Sequence, residues 1–521
     1  MAVDLAAAKA ALDVAHSVVA SGTAKLSAGS IDDQQVLAYD LAHAAAAVRA
    51  GESMLEYGAK GDLEAKMTVA FVADVIADVA GRIVGREELW GVGTDALSGA
   101  HAFAATYRDP SFLAGLALED GPRHLDDDFT PVQDVFRKFA EEKVRPLAEG
   151  VHRSNGDIPE ELIQGLAELG VFGMSVPEEY DGFSSGGENE YLGMIVATEE
   201  LSRGSLGIGG SLITRPEILT RALLAGGTEE QKQEWLPKLA SAEVMAAVAV
   251  TEPDFGSDVA GIKVAATRTE GGWLINGTKT WCTFAGRADA LMLLARTDPD
   301  RSLKHKGLSL FVVPKEQAAG HSFDFTADNG GKMTGAAIDT IGYRGMHSYE
   351  VSFENWFVPD ANLVGGEDGL GKGFFMQMAG FENGRLQTAA RAVGVMQAAY
   401  EAARSYAGER HVFGSAIGDY QLTQVKLARM AYMIQACRQF SYEVGRLMAK
   451  GEGVMEAAMV KAYACRAAEW VTREAMQIHG GFGYAEEYVV SRYFVDARVL
   501  SIFEGADETL CLKVIARRLG A

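Results

Sequence analysis

The chain has 521 residues, 48% of them hydrophobic and 23% charged, and a formal net charge of −23. That length exceeds one ordinary hydrophobic core and predicts roughly two to four domains of globular composition. The acidity argues against nucleic acid and anionic membrane surfaces as partners, since both need a basic face.

Four scattered cysteines, Cys282, Cys437, Cys465 and Cys511, form no CxxC pair and no metal-type spacing. They predict reduced thiols and no metal site. Residues 1 to 9 lack a basic start followed by an apolar run, so no secretory signal is expected. No stretch of ~18 apolar residues runs without charge, so no spanning helix is expected. A soluble cytoplasmic protein follows from these features.

In chain order, residues 1–105 are Ala-rich with helical spacing, as in Val69, Val72, Val75, Ile76, Val79 and Ile83, and predict a helical extension. Residues 106–128 carry Pro110, Gly115, Gly121, Pro122 and Asp126-Asp127-Asp128, and read as a linker. Helical texture fills 129–245. Residues 246–364 change character: Val248 to Val250, Trp273 to Asn276, Ala290 to Ala295, Leu308 to Val313 and Tyr349 to Phe353 are short apolar or alternating runs separated by Gly, Asp and Asn, which predict a small β-domain. Helical texture returns over 365–521. The fold class is therefore mainly α with a central β-domain.

A weak internal repeat is visible. Ile31-Asp32-Asp33-Gln34-Gln35 followed by Leu41-Ala42 echoes Ile417-Gly418-Asp419-Tyr420-Gln421 followed by Leu427-Ala428. Each precedes a long apolar helix, a Lys-Gly turn (Lys60-Gly61, Lys450-Gly451) and a second helix. The first hundred residues read as a decayed copy or imitation of the C-terminal helix pair, although similar Ala-rich composition gives the same appearance.

Four segments carry chemistry. After an apolar strand, Val250-Thr251-Glu252-Pro253-Asp254-Phe255-Gly256-Ser257 offers hydroxyls and main-chain N–H groups in a loop where Gly256 permits close approach. Trp281 and Thr283, two apart, place an indole and a hydroxyl on one strand face, suited to a flat ring. Gln477-Ile478-His479-Gly480-Gly481 closes a helix predicted over about Val454 to Ile478; it lacks the dinucleotide GxGxxG spacing. Phe503-Glu504-Gly505 puts an acid in a largely apolar run, where desolvation would favour a general base. Singly, each also fits a plain role: a turn, a core Trp, a helix cap, a helix-start acid. His479, Cys282 and the Asp126 to Asp128 run read as cap, strand packing and solvated linker.

In this order, with Glu409-Arg410-His411-Val412-Phe413-Gly414 between them, the segments resemble the acyl-CoA dehydrogenase family from about Phe129 onward. Leu236-Pro237-Lys238-Leu239-Ala240, Gly342-Tyr343-Arg344-Gly345 and Phe353 to Gly365 share the resemblance. It implies a helical domain, a β-barrel-like domain and a C-terminal four-helix bundle, assembled as a homodimer or homotetramer. It implies FAD held at Val250, Thr251, Gly256, Ser257, Trp281 and Thr283, and by Arg410, Phe413, Gln421, Gln477, Gly480 and Gly481 across a subunit interface.

The resemblance also implies that Glu504 removes the α-proton of an acyl-CoA thioester while the β-hydrogen leaves as hydride to the flavin. Electrons then pass to an electron-transferring flavoprotein. Some relatives carry the base just before an arginine on the first C-terminal helix; here Gly384 precedes Arg385, which leaves Glu504. Ser257, Glu382 and Arg385 match substrate-contacting positions. Ala506 and Glu508 stand where relatives often have Thr and Gln touching FAD, so a contact at Glu508 departs from the pattern.

Arg215, in the stretch that forms the acyl pocket of relatives, reads two ways: a bidentate partner for a substrate carboxylate, or a surface residue at a helix end, which is slightly favoured. With the extension and Gly384, it resembles the members of that family that act on a branched dicarboxylic thioester, and the resemblance implies (2S)-methylsuccinyl-CoA giving mesaconyl-CoA in the ethylmalonyl-CoA pathway. Another short or branched acyl-CoA, an acyl-CoA oxidase and a same-fold flavin monooxygenase remain alternatives. A non-catalytic subunit would be expected to have lost Glu504 or the Trp281/Thr283 pair.

Overall fold

The computed structural model describes residues 3–520. The chain divides into two units, one formed by the residues up to Val132 together with those from Thr388, the other by Gln133–Gln387. Among the described residues, no helix is long and apolar enough to cross a membrane.

The first unit is helical. Helix α1 (Leu5–Ser27) starts at Asp4, whose carboxylate accepts the Ala7 N–H at 3.0 Å, a side-chain N-cap. Helices α2 (Gln35–Gly58) and α3 (Asp62–Ile83) follow, and the six spaced residues from Val69 to Ile83 are all buried in α3. The second half of the unit carries the end of α7 (Gly373–Glu409), α8 (Gln421–Met448), α9 (Val454–His479) and α10 (Val490–Leu500). Both members of the suspected repeat are thus helix–turn–helix pairs.

Polar ties supplement the apolar packing between α2, α3 and the C-terminal helices. Asp74 accepts from Tyr432 Oη at 2.6 Å and pairs with Arg429 at 2.8 Å and Arg108 at 3.1 Å. Glu443 takes hydrogen bonds from Arg49 and Ser53. The stretch read as a linker is strapped along α8: Gln435 Nε2 donates to the Asp120 and Gly121 carbonyls at 2.7 and 2.8 Å, and Gln439 Nε2 to Arg123 O at 2.9 Å.

The second unit places α4 (Gly187–Gly204), α5 (Thr214–Gly226) and α6 (Glu229–Ala240) with a sheet. The capping box of α6 pairs Thr228 with Gln231. The strands are β1 (Ala246–Ala249), β2 (Ala265–Thr269), β3 (Gly272–Thr283), β4 (Ala290–Arg296), β5 (Leu308–Pro314), β6 (Ser322–Thr326), β7 (Lys332–Ile338) and β8 (Ser348–Pro359). Their order is β1-β4-β2-β3-β8-β7-β6, with β5 also on β4; β1 and β4 run parallel, β3 and β8 antiparallel.

Ile218, Leu219, Leu223, Trp235 and Leu236 of the helices share one core with Met292, Leu294, Leu310 and Val312 of the strands. Every residue of β4 is buried, which is why it reads as a continuous apolar run. Strands β2, β6 and β7, absent from the sequence reading, are short and half-exposed.

Candidate active site

In the second unit, β1 runs into the loop that begins at Val250. Gly256 and Ser257 are exposed, and a Cβ at Gly256 would meet nothing closer than 4.0 Å, so the loop backbone is open to a ligand. Its base is rigid. Glu252 is buried and accepts the N–H groups of Lys263 and Val264 at 2.6 and 2.8 Å. Lys279, fully buried on β3, donates to Glu252 at 2.9 Å and to Val250 O at 2.8 Å. Burial lowers the Lys279 ammonium to about 8 despite the pull of Glu252, and burial pushes the nearby Cys282 thiol up to about 12.

The strand alternation expected to put Trp281 and Thr283 on one face is interrupted. The β3–β8 register shifts between Lys279 and Cys282, and Trp281 takes a left-handed backbone, φ 57°. Its indole is 54% exposed, whereas Thr283 is buried and hydrogen-bonded to Ser348 at 2.9 Å. The bulge turns a large apolar ring outward that a regular strand would pack.

Arg215 corrects the surface reading. It is the second residue of α5 and only 6% exposed, with Nη2 3.4 Å from Tyr343 Oη. The helix begins inside the unit because Leu206–Gly210 folds as a wide turn whose glycines allow contact: a Cβ on Gly207 would lie 2.2 Å from Arg344 O. Nearby, Glu217 accepts from Asn383 and Gln387, and Gln387 Oε1 accepts from Thr214 at 2.8 Å. These bonds join α5 to the start of α7, where Arg385 is buried and Glu382 is half-buried.

In the first unit, Glu504 follows α10 in a turn whose backbone is unusual. It has φ 56° and is followed by Gly505 at φ 96°. Left-handed backbone in a non-glycine residue costs of order 1–3 kcal/mol and is concentrated at functional sites. The Glu504 side chain is 5% exposed and lies 3.3 Å from Nη2 of fully buried Arg391, whose guanidinium also sits 4.9 Å from the Phe503 ring. Lys461, also fully buried, donates to Gly505 O at 2.6 Å, and desolvation lowers its pKa. Asp507 Oδ2 accepts from Tyr39 Oη at 2.6 Å and lies 3.0 Å from His43 Nε2; Cys511 Sγ is 3.4 Å from the same nitrogen.

The remaining expected residues share one character. Arg410, Phe413, Gln421, Gln477, Gly480, Gly481 and Glu508 are exposed. Phe413 and Gly414 form the tip of a ribbon, β9 (His411–Val412) with β10 (Ser415–Ala416), and Phe413 is 100% exposed. Arg410 stacks 5.9 Å from the Phe482 ring, which brings it to the Gly480 segment. No atom would lie within 4 Å of a Cβ at Gly480 or Gly481. His479 ends α9 as expected, its Nδ1 2.8 Å from Ala475 O.

Lys279, Arg391, Lys461 and Asp507 were missed. Arg391 and Lys461 each interrupt a run of small apolar residues, Ala389 to Val393 and Ala457 to Ala462. A charge in the middle of such a helix is itself a signal of a buried partner.

Three family profiles match the chain: "Acyl-CoA dehydrogenase, N-terminal domain" over 126–243, "middle domain" over 247–356 and "C-terminal domain" over 371–520. The chain is 44% identical over 400 residues to a (2S)-methylsuccinyl-CoA dehydrogenase of Cereibacter sphaeroides, covering 77% of this chain and 71% of that protein. It is 35% identical over 398 residues to a mitochondrial 2-methylacyl-CoA dehydrogenase of Solanum tuberosum, covering 76% and 91%. A glutaryl-coenzyme A dehydrogenase in complex with glutaryl-CoA superposes with a TM-score of 0.69 at 31% identity, covering 75% of this chain and 95% of that one.

Proposed function

Because the chain belongs to the acyl-CoA dehydrogenases, flavoprotein oxidoreductases acting on acyl-CoA thioesters, we propose that it is FAD-dependent and converts (2S)-methylsuccinyl-CoA to mesaconyl-CoA. The observation that carries the reaction class is the Glu504 turn: a carboxylate withdrawn from solvent, on strained backbone, with Arg391 and Lys461 beside it.

The residues suit FAD. The outward indole of Trp281 offers a flat apolar face, the open loop at Gly256 and Ser257 offers N–H donors, and Arg410 with the open backbone of Gly480 and Gly481 suits a pyrophosphate. When bound, FAD supplies the acceptor for the electron pair that leaves with the β-hydrogen. Glu504 takes the α-proton onto its carboxylate. Arg391 fixes the direction of that carboxylate and balances its charge until the proton arrives. Main-chain donors polarise the thioester carbonyl, Ser257 sits beside the thioester arm, and Glu382 and Arg385 contact the CoA portion.

The 44% identical relative and the burial of Arg215 support a dicarboxylic substrate. A guanidinium beside the Tyr343 hydroxyl gives a carboxylate two kinds of donor in the segment assigned to the acyl group. The fully exposed Phe413 supports a homodimer or homotetramer in which a second copy covers the ribbon tip. An electron-transferring flavoprotein in the cytoplasm receives the electrons.

Anaerobic titration of the purified protein with (2S)-methylsuccinyl-, butyryl-, isobutyryl-, isovaleryl- and glutaryl-CoA tests the substrate. Bleaching of the flavin band by the methylsuccinyl thioester alone is expected, with Arg215→Gln weakening its binding about 10- to 100-fold, the value of a charge-assisted hydrogen bond. Bleaching by a different thioester overturns the substrate.

A further inference from the structure

The turn from Ser501 to Asp507 is closed by the Asp507 N–H on Ser501 O at 3.1 Å. Glu504 lies at its middle, so the position of Asp507 fixes one end of the segment that presents the carboxylate. Two other points of the turn are held from the C-terminal helices: Arg391 on Glu504 and Lys461 on Gly505 O. The third is held from elsewhere in sequence. Asp507 Oδ2 takes the Tyr39 hydroxyl at 2.6 Å and lies 3.0 Å from His43 Nε2, both on α2 of the N-terminal extension.

Tyr39 and His43 are four residues apart, hence on one face of α2, with ring centroids 4.7 Å apart. His43 and Asp507 are buried, and Cys511 Sγ lies 3.4 Å from the same His43 Nε2. A carboxylate in such surroundings is held by its donors, and its donors decide where it sits. We propose that the N-terminal extension belongs to the catalytic apparatus: Tyr39 and His43 are positioning residues that hold, through Asp507, the turn that aims Glu504. This rests on Glu504 being the base.

The test uses the full chain with its cofactor, in anaerobic stopped-flow reduction by whichever thioester bleaches the wild type. Tyr39→Phe and His43→Leu are expected to lower the limiting reduction rate about threefold to tenfold each, a modest share of what a 1 Å misplacement costs, with the half-saturating thioester concentration unchanged. His43→Gln, whose amide can donate to Asp507, is expected to recover most of the rate. Arg49→Met, on the same helix but bonded to Glu443, loses thermal stability without losing rate. Wild-type limiting rates in Tyr39→Phe and His43→Leu overturn the proposal; if His43→Leu does not accumulate, Tyr39→Phe, which deletes one oxygen, decides alone. The base assignment is separated by Glu504→Gln: undiminished reduction there removes the base and this proposal together, whereas an inert Glu504→Gln beside wild-type extension variants removes only the proposal.

Discussion

Trp281, in the bulge of β3, and Glu504, in the turn after α10, share a backbone conformation, φ 57° and 56°, and each has a fully buried lysine near it in the structure. The lysines are used differently. Lys279 meets Glu252 and the Val250 carbonyl, so its charge is matched by an acid that itself takes two main-chain N–H groups. The pair closes on itself, and the presented residue is a neutral indole. Lys461 donates a hydrogen bond to the Gly505 carbonyl, and the acid nearby is the presented residue, whose charge is shared with Arg391. Beside the displayed ring, the lysine is held in a saturated ion pair. On the proposal that Glu504 is the base, dividing the positive charge between Arg391 and Lys461 leaves the carboxylate able to accept a proton.

Removing each lysine separates the two uses. Lys279→Met leaves Glu252 buried without its ammonium and is expected to cost about 3–5 kcal/mol in urea unfolding. Lys461→Met removes one donor from a carbonyl and is expected to cost less, about 1–3 kcal/mol. Equal losses would show that the two lysines do the same work.

The pH dependence sharpens the contrast. Lys279 is lowered from 10.5 to about 8 by burial. Between those values the unfolded chain holds the proton and the folded chain does not, so stability rises with pH across that window. Lys279→Met should remove one proton from the slope, read by urea unfolding at pH 8 to 10.

The smallest effect concerns His43, whose pKa is lowered by burial against the pull of Asp507, with Arg466 and Arg82 adding to the lowering and Tyr39 and Cys511 in contact. Below 6.5 the unfolded imidazole binds a proton before the folded one, so stability falls as pH falls. His43→Gln should make that fall shallower than in the wild type, measured by the melting temperature from pH 7 to 5.

Much of the fold was legible because buried elements write their period plainly: Val69 to Ile83 on α3, and the apolar run of β4. Strands β2, β6 and β7 were not legible, since short, half-exposed strands lack that contrast. At the site, motif order singled out Glu504, which lies buried beside Arg391, and the loop at Thr251, whose Gly256 and Ser257 are exposed. The bulge at Trp281 was invisible because the two-residue period assumes a regular pleat, and the burial of Arg215 was missed because a charged helix start normally faces solvent. The partners of Asp507 lie more than 460 residues away in sequence, where no local pattern can reveal them.

The most direct measurement is anaerobic reduction of the bound flavin by the active thioester in the wild type and in Glu504→Gln. The substitution is expected to leave flavin and thioester bound while slowing reduction by about 10³-fold, within the range for loss of a general base. Reduction at the wild-type rate would contradict it.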